Sequence, residues 1–250
     1  MPEVAYGSLP FDEAIAYFRS KGYALSPEGW RDLWQEAHAR AFTVARVTEM
    51  DVIEDIRTEV QKALDAGTSL KQFQVDLRKT LERKGWFAPS GVEAEVTLPD
   101  GTVVKRLTPW RLETVYRTNL QTAYSVGRYK QMEEVKDARP YWQYMGIRDE
   151  VTRPAHAEQF GKVYHADHPF WDEWYPPNGF NCRCYVKTLS GRQMDERGLT
   201  EETRGVADHP DEGWRYNVGK EGLAAWRPDL SGYGPKARAV LERTLQGGPQ

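Results

Sequence analysis

Cysteine is nearly absent: the 250 residues hold two, Cys182 and Cys184. One intervening residue is poor geometry for an ordinary disulfide between them, so the pair reads as free thiols or metal ligands rather than as a disulfide framework. No run approaches the roughly 18 apolar residues of a membrane-spanning helix, and the opening Met1-Pro2-Glu3-Val4 lacks the basic and apolar pattern of a secretory leader. Neither membrane insertion nor secretion is indicated, and folding in a cytoplasm is the expectation. An excess of one charge is missing too. The 34 Lys+Arg and 37 Asp+Glu give a net charge of -3, without the global basic field that non-specific nucleic-acid binders use, although a local basic patch is still open. There is no internal repeat, no low-complexity tract and no glycine-rich loop of the phosphate-cradling kind. What is present is 40% hydrophobic and 12% aromatic residues, enough to bury one large core or two modest ones.

Apolar spacing predicts an α+β chain, with an N-terminal helical bundle followed by a smaller mixed α/β domain. A short helix is expected around Phe11–Lys21, and Ser26-Pro27 opens another carrying Trp30, Leu33, Trp34 and Ala37. Ile53, Ile56, Val60, Ala63 and Leu64 form a helical stripe that stops at Gly67. Thr68-Ser69 can then cap a helix bearing Leu70, Phe73, Leu77 and Leu81, ending at Gly85. Val96-Thr97-Leu98 and Thr102-Val103-Val104 flank Pro99-Asp100-Gly101 as a hairpin or extended loop. Thr108-Pro109 starts a long helix over roughly 109–135, with Gly127 tolerated inside it. Beyond it, Tyr141-Trp142-Gln143-Tyr144 and Arg183-Cys184-Tyr185-Val186-Lys187 read as strands bracketing a Pro-, Gly- and aromatic-rich loop. A last helix is expected at Pro235–Leu245, with a fraying end. The implied division is 1–90 helical, 91–107 hairpin or linker, 108–190 the mixed domain, and 191–250 a C-terminal extension.

Chemistry concentrates in that loop. Ten of the 40 residues from Tyr141 to Phe180 are aromatic, about 25% against 12% for the chain, and serve either as rigid interface anchors or as core. His156, His165, His168, Cys182 and Cys184 put three of five histidines and both cysteines within 29 residues. Imidazole and thiolate are what zinc prefers, but the ligand spacing is irregular, and one residue between the cysteines makes chelation by both sulfurs awkward, since alternate strand residues point to the same face but not to one tetrahedral centre. The plainer alternative packs Cys182 as a small hydrophobe and uses the histidines to fix the loop. A second reading takes Cys182 or Cys184 as nucleophile, a histidine as base and Asp149 or Asp167 as orienter, although the local sequence matches no nucleophile elbow or helix N-terminus that would lower the thiol pKa. Arg148, Arg153 and Arg183 either bind an anion or brace the loop by stacking and backbone contacts.

The run Asp149-Glu150-Val151-Thr152-Arg153-Pro154-Ala155-His156, then Gly161-Lys162-Val163, Phe170-Trp171, and Tyr175-Pro176-Pro177-Asn178-Gly179-Phe180-Asn181-Cys182-Arg183-Cys184, resembles the signature of the phage Mu protein F-like family of minor head, or head-morphogenesis, proteins. Glu113 through Asn119 and Gly127-Arg128 resemble the helix entering that domain, with Asn119 standing where many relatives carry Glu. Glu13–Lys21, Ala41–Ala45, Lys84-Gly85-Trp86 and Gly213–Gly219 extend the likeness over nearly the whole chain, as in an entire minor head protein rather than a module fused to a toxin. The resemblance marks Asp149, Thr152, Arg153, Pro154, His156, Gly161, Pro176, Pro177, Asn181, Cys182, Arg183 and Cys184 as motif residues. It implies a structural role in capsid assembly, in the virion head and before that in the host cytoplasm. The implied partners are the portal protein, the major capsid or scaffold protein and, as a further candidate, phage DNA; no membrane is involved. No cofactor is assigned, zinc being the one candidate. The alternative is a metal- or cysteine-dependent enzyme, a nuclease or nucleotide-modifying activity, carried in the head.

Overall fold

The computed structural model describes residues 11–24, 37–47, 49–92, 94–97 and 103–223. The helix expected from Ser26, the turn at Pro99-Asp100-Gly101 and the helix expected at Pro235–Leu245 lie outside them. The architecture is mixed α and β. Helix α1 (Asp12–Ser20) leads into β1 (Gly22–Tyr23), which pairs in parallel with β2 (Ala41–Phe42), the continuation of the single-turn α2 (Ala37–Arg40). Helices α3 (Met50–Ala66) and α4 (Leu70–Arg83) follow with their apolar stripes buried, Ile53, Ile56 and Val60 on one and Phe73, Leu77 and Leu81 on the other. Their boundaries follow the local signals. Gly67 is left-handed at φ 66° after α3, and the Ser69 hydroxyl accepts from the Gln72 amide at the start of α4.

The antiparallel pair β3 (Glu95–Thr97) and β4 (Val103–Lys105) leads to α5 (Pro109–Glu134), whose Thr108 hydroxyl caps the Arg111 amide ahead of a proline in the first turn. This helix is the spine of the molecule and packs against α1, α3, α4 and the late helix at Val218–Leu223. Gly127 was expected to be merely tolerated here; the structure shows a reason for it. A Cβ at Gly127 would sit 2.8 Å from the Ala14 backbone nitrogen and 2.9 Å from the Phe11 ring, so the close approach of α1 to α5 requires its absence.

The second half corrects the expectation of two strands around a plain loop. A three-stranded antiparallel sheet has β5 (Tyr141–Met145) at its centre, flanked by β6 (Val163–His165) and β7 (Tyr185–Leu189). The intervening chain also forms the short helices α6 (Pro154–Ala157) and α7 (Phe170–Trp174), and α8 (Gly191–Arg197) and α9 (Val218–Leu223) close the described chain. The strand expected at Arg183 begins only at Tyr185, which leaves both cysteines in irregular backbone. The aromatic residues form an internal cluster rather than surface anchors. Trp142, Tyr144, Tyr164, Trp171, Trp174 and Tyr175 are all buried, and Tyr129 of α5 meets Trp142 and Tyr175 edge-on at 5.7 and 5.0 Å. One continuous apolar core runs from Ala14 on α1 through this ring cluster to Val218 on α9. Since deleting a buried large ring removes transfer energy and leaves a cavity, Trp142→Ala should lower the unfolding free energy by about 3–5 kcal/mol in urea titrations. Trp110→Ala, at a side chain 68% exposed, should change it by less than about 0.5 kcal/mol.

Candidate functional site

The motif residues meet where three segments converge. Residues 147–153 form a turn in which Asp149 accepts from the Val151 amide and the Thr152 hydroxyl, while Thr152 also reaches the Ile147 carbonyl. Arg183 crosses to this turn and binds both carboxylate oxygens of Asp149 at 2.6 and 2.5 Å, with a further contact to Thr152 Oγ1 at 3.1 Å. This bidentate pair holds the Asp149 carboxyl down at about 2, the Arg183 hydrogen bonds being the leading cause. Arg153 then leads into α6, with Pro154 in its first turn. The guanidinium donates to the Phe180 carbonyl at 3.0 Å and pairs with Asp211 at 2.8 Å. Gly179 makes that arrangement possible, because a Cβ there would lie 2.2 Å from the Asp211 carboxylate. Asn181 adopts φ 56°, a left-handed conformation that asparagine tolerates better than other side chains, and it turns the chain into Cys182.

This turn brings Cys182 Sγ to 3.8 Å and Cys184 Sγ to 3.6 Å from the same atom, His156 Nδ1. The three donor atoms lie within 4.8 Å of one another, and all three residues are buried. The expectation that a one-residue spacing keeps both sulfurs from one centre is corrected. It assumed a strand, whereas the left-handed Asn181 and the late start of β7 let both sulfurs face inward while Arg183 between them points out to Asp149. On the far side of the ring, His156 Nε2 has no hydrogen bond and stands 3.7 Å from Asp211 Oδ1. Burial alone would lower the His156 pKa, but Asp211 and Cys182 together raise it to about 9. Although burial pushes the Cys182 thiol up, Cys184 and His156 outweigh it and hold that thiol low, while Cys184 is pushed up chiefly by Cys182. Tyr144 stands beside the cysteines and accepts from Asn178 Nδ2 at 2.8 Å.

Other residues singled out from the sequence are elsewhere. His165 faces Asp167 and the Tyr141 ring, and His168 lies against Tyr164, so neither joins His156. Neither Asp149 nor Asp167 orients the histidine; Asp149 is taken by Arg183 and Asp167 by Lys136 and His165. Asp211 takes that place, and no sequence signal marked it. Arg148 sits over the Phe160 ring and reaches the Ala157 carbonyl, so all three arginines brace the loop. Gly161, at φ 94°, donates its amide to Tyr144 O across the start of β6, and the Pro176–Pro177 peptide bond is cis.

The sequence profile described as "Phage Mu protein F like protein" matches residues 54–187, from within α3 to within β7. "Putative capsid assembly protein F" of Escherichia phage Mu is 39% identical, the match covering 87% of this chain and 56% of that protein. "Mu-like prophage FluMu F protein" of Haemophilus influenzae is also 39% identical, over 68% of this chain and 40% of that protein. The chain thus spans about half the length of the curated relatives it matches. The likeness expected over nearly the whole chain holds for this chain's length and not for theirs. No solved structure matches.

Two outcomes test the loop. Asn181→Val should cost about 1–2 kcal/mol of stability, since a β-branched side chain resists positive φ, whereas Asn181→Gly should cost less than about 1. The depressed Asp149 carboxyl contributes stability that is present above its ordinary value of 3.8 and is lost as pH falls toward about 2. The thermal midpoint of Asp149→Asn should therefore lie below wild type at neutral pH, and the gap should close between about pH 4 and 2. A gap constant over that range would remove Arg183 as the partner that matters.

Proposed function

The chain belongs to the phage Mu protein F-like family, and from that premise we propose that it is a minor head protein of a tailed phage or prophage that acts in capsid assembly at the portal vertex. The match over residues 54–187, joined to the capsid-assembly name of the phage Mu relative, supports this reading. Its partners on this reading are the portal protein and the major capsid or scaffold protein, with packaged DNA as a further contact, and its place is the virion head after assembly in the host cytoplasm. No helix among the described residues is long and apolar enough to cross a membrane.

A local feature supports a docking role. Val151 is 76% exposed and Ile147 49%, and they flank Asp149 on the turn that Arg183 clamps. An apolar pair on a pinned turn loses little conformational entropy when a partner covers it. The enzyme alternative finds less support, because Cys182, Cys184 and His156 are between 2 and 5% exposed and a substrate has no approach to either sulfur without local opening. Quantitative mass spectrometry of separated heads and tails tests the proposal. The chain should be recovered with heads and portal protein, and enrichment in tails would overturn it. Val151→Glu should lower recovery in heads with an unchanged thermal midpoint.

A further inference from the structure

We propose that His156, Cys182 and Cys184 form a zinc site, with His156 Nδ1 and the two sulfurs as ligands and Asp211 orienting the imidazole from behind. The inference rests on geometry and on hydrogen-bond accounting, and it is independent of the role in the head.

Zinc holds sulfur at about 2.3 Å and histidine nitrogen at about 2.0–2.1 Å, so the nitrogen-to-sulfur edge of a tetrahedral site is about 3.5 Å. The two edges here are 3.6 and 3.8 Å. Hydrogen bonding alone explains this arrangement poorly. One ring nitrogen offers either one lone pair or one proton, so it cannot serve two sulfurs well at once. The remaining contacts of the sulfurs are with each other and, for Cys184, with the Tyr144 hydroxyl, inside a shell of Trp174 and other buried rings where sulfur is a weak donor and acceptor. A cation between the three atoms satisfies all of them together.

The charges and protons also balance. Binding of Zn²⁺ by two thiols and a neutral imidazole releases two protons, and the two thiolates then cancel the charge of the ion. The centre becomes neutral beside the Arg153–Asp211 pair, itself neutral. With Nδ1 on the metal, the ring proton sits on Nε2, the buried atom that lacks a hydrogen bond and faces Asp211 Oδ1 at 3.7 Å. A ligating histidine that directs its other nitrogen at a carboxylate is the usual outer arrangement of zinc sites. Three protein ligands leave the fourth position to a water molecule. Such a centre ties α6 to the turn before β7, two segments that no strand ladder joins.

The test loads the full chain with zinc, desalts it into metal-free buffer and measures bound metal by elemental analysis. About one equivalent of zinc per folded chain is expected. Cobalt(II) in its place should give thiolate-to-metal charge-transfer absorption and the intense d–d bands of a tetrahedral ion. Chelation should lower the thermal midpoint, because metal binding contributes folding free energy. Cys182→Ser and Cys184→Ser should each lose the charge-transfer bands. Since removing a ligand can also prevent folding, Asp211→Asn provides the second variant. It keeps all three ligands and should bind zinc about 10–100-fold more weakly with the cobalt spectrum retained. Less than about 0.2 equivalents of any transition metal in folded wild type after incubation with zinc would overturn the proposal. Full zinc occupancy in a folded Cys182→Ser/Cys184→Ser double variant would overturn it equally.

Discussion

The site depends on the ion pair between Arg153 and Asp211. It joins the start of α6, the Gly179–Phe180 turn and the segment ahead of α9, three stretches with no shared strand or helix. Its direct energetic contribution is small. The two side chains are 37 and 32% exposed, and partly solvated pairs of this kind contribute no more than about 1 kcal/mol. Its importance is positional: Asp211 is aimed at His156 because Arg153 fixes it, and the cysteine turn is held because the same guanidinium binds the Phe180 carbonyl. Gly179 belongs to the same constraint, since any side chain there would push the carboxylate away.

Around that clamp, the ring cluster sets the chemistry. Packed against α5 through Tyr129 and through the Tyr175 hydroxyl on the Ser125 carbonyl, it shields the two sulfurs from water. A low-dielectric surround strengthens each polar contact inside it and penalises each one left unmade. Burial is accordingly the leading cause holding Tyr144 and Tyr175 protonated. It is also the reason that the arrangement of His156, Cys182 and Cys184 calls for an explanation beyond packing, since plain core positions would be filled more simply by apolar side chains.

Legibility in the sequence followed the range of the signal. Helices α3, α4 and α5 could be read because periodicity, the caps Ser69 and Thr108, and Gly67 are local features. The two-residue β1 and β2, the three-residue β6 and the six-residue α9 could not, because segments so short carry no period. The loop residues were marked by their unusual pattern, and Asp149, Thr152, Arg153, Arg183 and Asn181 do fix it. The geometry of the cysteines departs from strand alternation for a specific reason: they follow a turn whose direction is set by one left-handed asparagine. Asp211 was invisible because an aspartate in a Pro- and Gly-containing stretch looks like any solvated turn residue.

The three candidate ligands lie within the matched residues 54–187, whereas Asp211, the carboxylate behind His156, lies beyond them, as does α9. The inner atoms and their orienting group are therefore separable along the chain. Coordination by nitrogen and two sulfurs needs only α6 and the turn at Asn181, both within the matched residues. The strength of that coordination and the alignment of the imidazole depend on the segment that follows α8. Asn217 ties this segment back by bonding the Trp171 carbonyl at 2.9 Å, so the position of Asp211 is set by the packing of the ring cluster as well as by Arg153. Changes in that outer segment can accordingly tune the centre without altering a ligand, a division of labour that distance from the motif makes physically reasonable.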